Sequence, residues 1–250
     1  MNVASSSTMS VETAGHPYQR LQTELEEIIS ATPPGERLLT EPKLAKKLGV
    51  SRSTLREAMR AFEAQGRIRR QQGVGTFVVE QSTVIESGLE KLESIDSIAR
   101  RINLPTSMSW MKVERIEANE KQADALKIAL KQTLLKLSRI IHVEKRPVAF
   151  LVDVLPESLI SEENLRHGFS GSVLDLIRKE GKVQPEKSYT EIQAVSADSF
   201  IAHALQIQRG DVLLHFSADL YDQTGQVVDH SDSYFLPGYF RFHVVRTVGA

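Results

Sequence analysis

The densest chemistry in this 250-residue sequence lies in Ser51-Arg52-Ser53-Thr54-Leu55-Arg56. At about 100° per residue, Arg52, Ser53, Arg56 and Arg60 share one arc of a helix, while Leu55, Ala58, Met59 and Phe62 share another. Arginine can donate two hydrogen bonds to O6 and N7 of guanine, and the hydroxyls of Ser51, Ser53 and Thr54 suit phosphate oxygens. A helix N-terminus adds free N–H groups that favour phosphate. Taken alone, the same arc reads equally as a solvated basic face. The segment Arg67-Ile68-Arg69-Arg70-Gln71-Gln72-Gly73-Val74-Gly75-Thr76-Phe77-Val78-Val79 argues against that, because it is two short strand-like runs about a glycine tip. Glycine permits positive φ and close approach of backbone to another surface.

The elements that must hold these groups are legible upstream. Tyr18, Leu21, Leu25 and Ile28 fall at helical spacing, and Pro33-Pro34-Gly35 ends that helix. Thr40 reads as an N-cap, Pro42 fits a first helical turn, and Leu44, Ala45 and Leu48 form the apolar face of a short second helix closed by Gly49. Ser51 then caps the third helix, which runs to about Gln65. The brief glycine-containing connection between helices two and three is that of a helix-turn-helix. With the basic hairpin behind it, the module is a winged helix-turn-helix.

Charge distribution agrees. From Glu36 to Gly75 there are ten basic and four acidic residues, a balance of +6; from Gln81 onward there are 20 basic and 23 acidic, a balance of −3. One module is suited to a polyanion and the other is not. The chain has no cysteine, which excludes disulfides, thiolate-ligated zinc, iron–sulfur clusters and cysteine nucleophiles. No apolar run reaches the roughly 18–20 residues that span a bilayer. The first residues lack the basic start and apolar stretch of a signal peptide, so a cytoplasmic protein is expected.

Thr40-Glu41, Leu44-Ala45, Leu48 to Ala58 and Gly73 to Val78 closely resemble the GntR family of bacterial transcription regulators over residues 17–80. That resemblance implies DNA contacts from Thr40, Ser51, Arg52, Ser53, Thr54 and Arg56, with Gln72, Gly73 and Gly75 of the wing near the minor groove. Two positions depart from the family pattern. Pro42 stands where an arginine is frequent and Val74 where a basic residue is frequent, which throws more of the specificity onto Arg52 and Arg56.

Beyond residue 90 the pattern is α+β with an antiparallel sheet. Leu135–His142 with Val148–Leu155, and Val212–Tyr221 with Val227–Phe235, read as two hairpins, and Arg241–Val248 as a further β-rich run. Helical patterns fall at Asp96–Arg101, Glu120–Ala129, Ser172–Glu180 and Ser196–Leu205. Ser94 to Ile98, Arg139 to Pro147, Gly171 to Leu174 and Leu220 to Phe242 resemble the UTRA effector domain of the HutC-type branch, whose fold is shared with chorismate lyase. The resemblance implies an effector-binding set of Arg139, Ser172 and Asp229 holding a small anion. Ile141, Leu174 and Phe235 replace an arginine and two tyrosines of that pattern, which favours a small carboxylate or a more apolar anion over a sugar phosphate. From the residues alone, Arg139 reads equally as an ion-pairing residue on a strand surface, and Ser172 equally as a helix N-cap.

His142, His167, His203, His215, His230 and His243 have no ligand spacing, so no metal is expected; nor is any cofactor. Asp153, within Phe150 to Leu155, is expected on the solvent side of its strand. The expected organisation is a disordered tail (1–16), the winged helix-turn-helix (17–80), a linker (81–90) and the effector-binding and dimerisation domain (91–250). The expected function is a homodimeric, ligand-responsive, sequence-specific regulator, a repressor released from a palindromic operator by a small effector. The rival is an enzyme of the chorismate-lyase-like fold fused to a DNA-binding module; the absence of a nucleophile motif or paired acid and base weighs against it.

Overall fold

A computed structural model describes residues 17–71, 74–79, 84–167 and 169–248, and the chain divides into two compact units. The first holds residues up to Glu63 together with Ile68–Val78. Helices α1 (Pro17–Ala31), α2 (Glu41–Lys47) and α3 (Arg52–Ala64) precede an antiparallel hairpin of β1 (Ile68–Gln71) and β2 (Gly75–Val78), with Ile68 opposite Val78 and Gln71 opposite Gly75. The apolar stripes close on one another: Leu21, Leu25 and Ile29 meet Leu44, Ala45, Leu55, Ala58, Met59 and Phe62, with Ile68 and Val78 beneath them. Ile29, rather than the expected Ile28, completes the stripe of α1, and Tyr18 is exposed. The expected tail at 1–16 lies outside the described residues.

The second unit is built on a six-stranded antiparallel sheet. Its strands, in chain order, are β4 (Thr106–Glu117), β5 (Thr133–Val143), β6 (Arg146–Pro156), β7 (Pro185–Ser196), β8 (Val212–Asp222) and β9 (Val227–Phe235). In space the order is β4-β5-β6-β9-β8-β7. Because side chains alternate along a strand, Leu135, Leu137, Arg139 and Ile141 share one face. Register puts Arg139 opposite Leu151, Leu137 opposite Asp153, and Asp153 opposite Ser231. Helices α4 (Ile95–Arg101), α6 (Glu162–His167) and α7 (Val173–Glu180), and α5 (Glu120–Leu126) and α8 (Ser199–Leu205), complete the α+β unit. Leu135, Leu137, Leu155 and Leu220 pack under Val173, Leu176 and Ile177 of α7 on the Arg139 face. Leu134 and Val154 pack against Leu126 of α5 on the other.

Four departures from expectation have local causes. Strands β4 and β7 carry no clean alternation because both are edge strands, exposed on most positions. In β4 the register also shifts between Ser109 and Lys112, where Trp110 takes φ +46°; such a bulge breaks period-two patterning. Ile85–Gly88, inside the expected linker, is a strand (β3) paired in parallel with β10 (Phe240–His243). The β-rich run at 241–248 is strand only through His243. Helix α8 starts at Ser199 because Asp198 caps it, accepting from the N–H of Ile201 at 2.8 Å.

Leu137 is fully buried at the centre of this packing. Leu137→Ala should cost about 2–5 kcal/mol through the cavity it leaves. The single tryptophan, Trp110, lies in the same unit and reports its unfolding. The midpoint in urea should fall with little change in slope; an unchanged midpoint would show that this layer is not a packed core.

Candidate functional site

In the first unit, α3 presents Arg52, Ser53, Thr54, Arg56 and Arg60 to solvent while Leu55, Ala58, Met59 and Phe62 are buried. Ser51 caps the helix, its Oγ accepting from the N–H of Thr54 at 3.1 Å. The same hydroxyl lies 2.8 Å from Ser53 Oγ and 2.7 Å from Thr54 Oγ1, so three hydroxyls cluster at the positive end of a thirteen-residue helix. Arg56 is engaged: its Nε donates to Glu41 at 2.7 Å, and Arg70 of the hairpin reaches the same carboxylate at 3.5 Å. Thr40 precedes α2 but makes no side-chain cap bond, which leaves its exposed hydroxyl available. Gly75 has φ +146°, and a Cβ there would run into the Arg37 guanidinium, so both the conformation and the close approach require glycine. Gln72 and Gly73 lie outside the described residues.

In the second unit, a cavity of about 580 Å³ opens on the Arg139 face of the sheet. Its floor is polar at one point. Arg139, 3% exposed, donates through Nη1 to Asp153 and through Nε to the carbonyl of Gly171, and its guanidinium lies 5.6 Å from the centre of the Phe169 ring. Gly171 holds φ +102°, which turns that carbonyl toward Arg139 at the threshold of α7. Ser172 then caps α7, accepting from the N–H of Asp175 at 3.0 Å, and lines the cavity as well. Ser94 caps α4 in the same way and donates to Asp175 Oδ2 at 2.7 Å, tying the starts of the two helices together.

Asp229 stands behind this pair. It is 5% exposed, it does not line the cavity, and its Oδ1 has no hydrogen-bond partner. Burial first, then the charge of Asp153 and a hydrogen bond with it, push its carboxyl well above the usual carboxylate range; Arg139 opposes the shift and Asp219 adds to it. That shift favours the protonated acid at Asp229, beside the Arg139–Asp153 pair.

On the opposite face of the sheet, His215 lies 2.8 Å from Asp232 and His230 2.7 Å from Asp219. These are hydrogen-bonded histidines, and no group of metal-ligating side chains occurs among the described residues.

Comparison with known proteins supplies the family. Residues 17–78 match the model for bacterial regulatory proteins of the gntR family, and residues 103–241 match the UTRA domain, more than half of the chain. This chain is a GntR-family regulator of the HutC/UTRA type. It is 25% identical to the HTH-type transcriptional repressor NagR of Bacillus subtilis over 202 residues, 81% of this chain and 82% of NagR. It is 29% identical to the histidine utilization repressor of Pseudomonas putida over 183 residues, 73% and 72% of the two chains. The crystal structure of PhnF from Mycobacterium smegmatis shares the fold, with a TM-score of 0.62 at 20% identity over 92% of this chain and all of that one. NagR and the histidine utilization repressor are named as repressors, and with the family this sets aside the rival reading as a lyase. No helix among the described residues is long and apolar enough to cross a membrane.

Within the GntR/UTRA frame two expectations need correction. Asp153 does not face solvent: at 7% exposure it lines the cavity, because its position opposite Leu137 and Ser231 puts it on the Arg139 face. Asp229, expected to touch the effector, is instead the buried neighbour of Asp153. The signal for Asp153 was present in the sequence as an acid inside an apolar strand, which a half-buried sheet tolerates only beside a cation. Arg139 is thus ion-paired, as the residues alone allowed, but buried in the sheet rather than on a strand surface.

The raised pKa of Asp229 fixes a pH dependence. Above the ordinary pKa of about 3.8 the unfolded chain releases this proton while the folded chain keeps it. Stability therefore falls as pH rises from there toward the folded-state value. Asp229→Asn should remove that slope and leave the protein at least as stable at neutral pH, measured by thermal unfolding between pH 4 and 8. A large loss of stability at neutral pH would show that the carboxylate, not the acid, is the folded form.

Proposed function

We propose that this regulator works in the cytoplasm as a homodimeric repressor that sets two α3 helices into successive major grooves of a palindromic operator. The observation that carries this is the exposed arc of Arg52, Ser53, Thr54 and Arg56 at the capped start of α3, beside a basic hairpin. Two-fold symmetry in the protein is what a palindromic site mirrors, with half-sites roughly 34–36 Å apart. Arg52 and Arg56 read base edges, Thr40 and the Ser51–Ser53–Thr54 hydroxyls meet phosphates, and Gln72, Gly73 and Gly75 approach the minor groove. Glu41 holds Arg56 when DNA is absent; an exposed pair of this kind is worth about 0–1 kcal/mol, so DNA displaces it at little cost. The DNA-binding module is taken to span residues 17–80 and the effector module 91–250.

The effector sits in the 580 Å³ cavity, against Arg139 and Ser172, with Asp229 supporting Arg139 through Asp153. It acts by binding one arrangement of the dimer better than another, since only differential affinity shifts such an equilibrium.

Selection of binding sites from a random duplex pool tests the DNA reading. The wild-type protein should enrich a palindrome, and Arg52→Ala should lose about 1–3 kcal/mol of discrimination at one position of each half-site. No enrichment, or an Arg52→Ala protein weakened equally on every DNA, would contradict it.

A further inference from the structure

Each buried positive feature that faces the cavity already has a carboxylate beside it. Arg139 is paired with Asp153 and closed on its flank by Gly171 and Phe169. The start of α7 has Asp175 in its first turn, hydrogen-bonded to Ser94, and the start of α4 has Asp96, which also accepts from Thr106 at 3.0 Å. The other lining cations, Lys91 and Lys187, are exposed at the rim, alongside Glu90, Glu93 and Glu186. Of the five lining carboxylates, Asp153 is held by Arg139, Glu93 by Arg101 and Asp96 by Arg100, which leaves Glu90 and Glu186 with the two lysines at the rim. An anion reaching the buried floor would meet no unmatched positive charge there, and desolvating it is costly without one.

The rest of the lining is suited to something else. Ser231, Ser233 and Thr190 bring hydroxyls to the sheet floor, and Phe216, Phe235 and Phe242 bring aromatic rings, with centroids 4.5–5.1 Å apart in the pairs that share Phe216 or Phe235 with Phe242. Arginine has five N–H donors, of which Asp153 and Gly171 account for two in Arg139; a neutral oxygen can take another without disturbing the ion pair. Hydroxyls give and accept hydrogen bonds at no charge, and ring faces pack against the C–H face of a saturated ring. We infer that this cavity takes an uncharged, hydroxyl-bearing small molecule, of the chemical class of neutral sugars and polyols, and rejects its phosphorylated or carboxylated counterparts. The inference rests on the reading of this cavity as the effector site, and it replaces the anion that the sequence resemblance implied.

Two measurements on the full chain test it, and neither uses DNA. Calorimetric titration with inorganic phosphate at constant ionic strength should give no saturable binding to the wild type. Asp153→Asn combined with Asp229→Asn, which removes both carboxyl groups beside Arg139, should bind phosphate at least ~tenfold more tightly than the wild type does. Saturable phosphate binding to the wild type overturns the inference, so that titration decides even if a variant does not fold. The second measurement is a thermal-shift comparison of neutral sugars and polyols with their phosphate and carboxylate counterparts. The neutral half should stabilise the protein more; an equal or smaller shift from that half overturns the ligand class. Either failure leaves the operator selection untouched, so a regulator that takes an anion is distinguishable from a protein that is no regulator.

Discussion

A guanidinium buried in a sheet requires a carboxylate within reach, and the second unit of this protein is arranged around that requirement. Arg139 on β5, Asp153 on β6 and Asp229 on β9 come from three adjacent strands and lie on one face. A one-residue slip of β5 or β6 would send its charged residue to the other face and leave the other buried charge without its partner. The cluster therefore fixes strand register in addition to whatever it contributes to a ligand site. Breaking such a pair by removing one partner costs about 3–5 kcal/mol, because the surviving charge stays buried. Through the carbonyl of Gly171 the same arginine also holds the start of α7, and through Ser94 and Asp175 that start is joined to α4. The walls of the cavity are thus attached to its floor by one chain of hydrogen bonds.

The first unit handles charge in the opposite way. Arg52, Arg56 and Arg60 stand in solvent on α3, and the pair that Arg56 forms with Glu41 is exposed on the arginine side. High dielectric makes that pair weak and easily exchanged for phosphate. One unit keeps its positive charge available for a polyanion, while the other consumes its own internally. That contrast is consistent with the division of labour in a ligand-responsive DNA-binding regulator.

Much of this was legible in the sequence because local rules and the fold agree there. The stripes of α1 and α3, the cap at Ser51 and the paired runs that became β5 with β6 and β8 with β9 follow period and capping alone. The edge strands β4 and β7 were not legible, since a strand exposed on both faces has no reason to alternate. Arg139 and Ser172 were singled out by resemblance, but their surroundings were not. That Arg139 meets Asp153, fourteen residues on, depends on the bulge between Ile141 and His142 and on the hairpin register, which spacing does not reveal. The position of Asp229 behind the pair depends on β9 inserting between β6 and β8, a fact of topology rather than of pattern.

The most direct test of the central claim is carbon-detected NMR of the aspartate side chains across a pH titration of the full protein. The Asp229 carboxyl carbon should keep its protonated shift to higher pH than the exposed aspartates do, because it is buried beside Asp153. An Asp229 that ionises together with the exposed aspartates would contradict the account, since a buried carboxyl beside the Asp153 carboxylate must hold its proton longer.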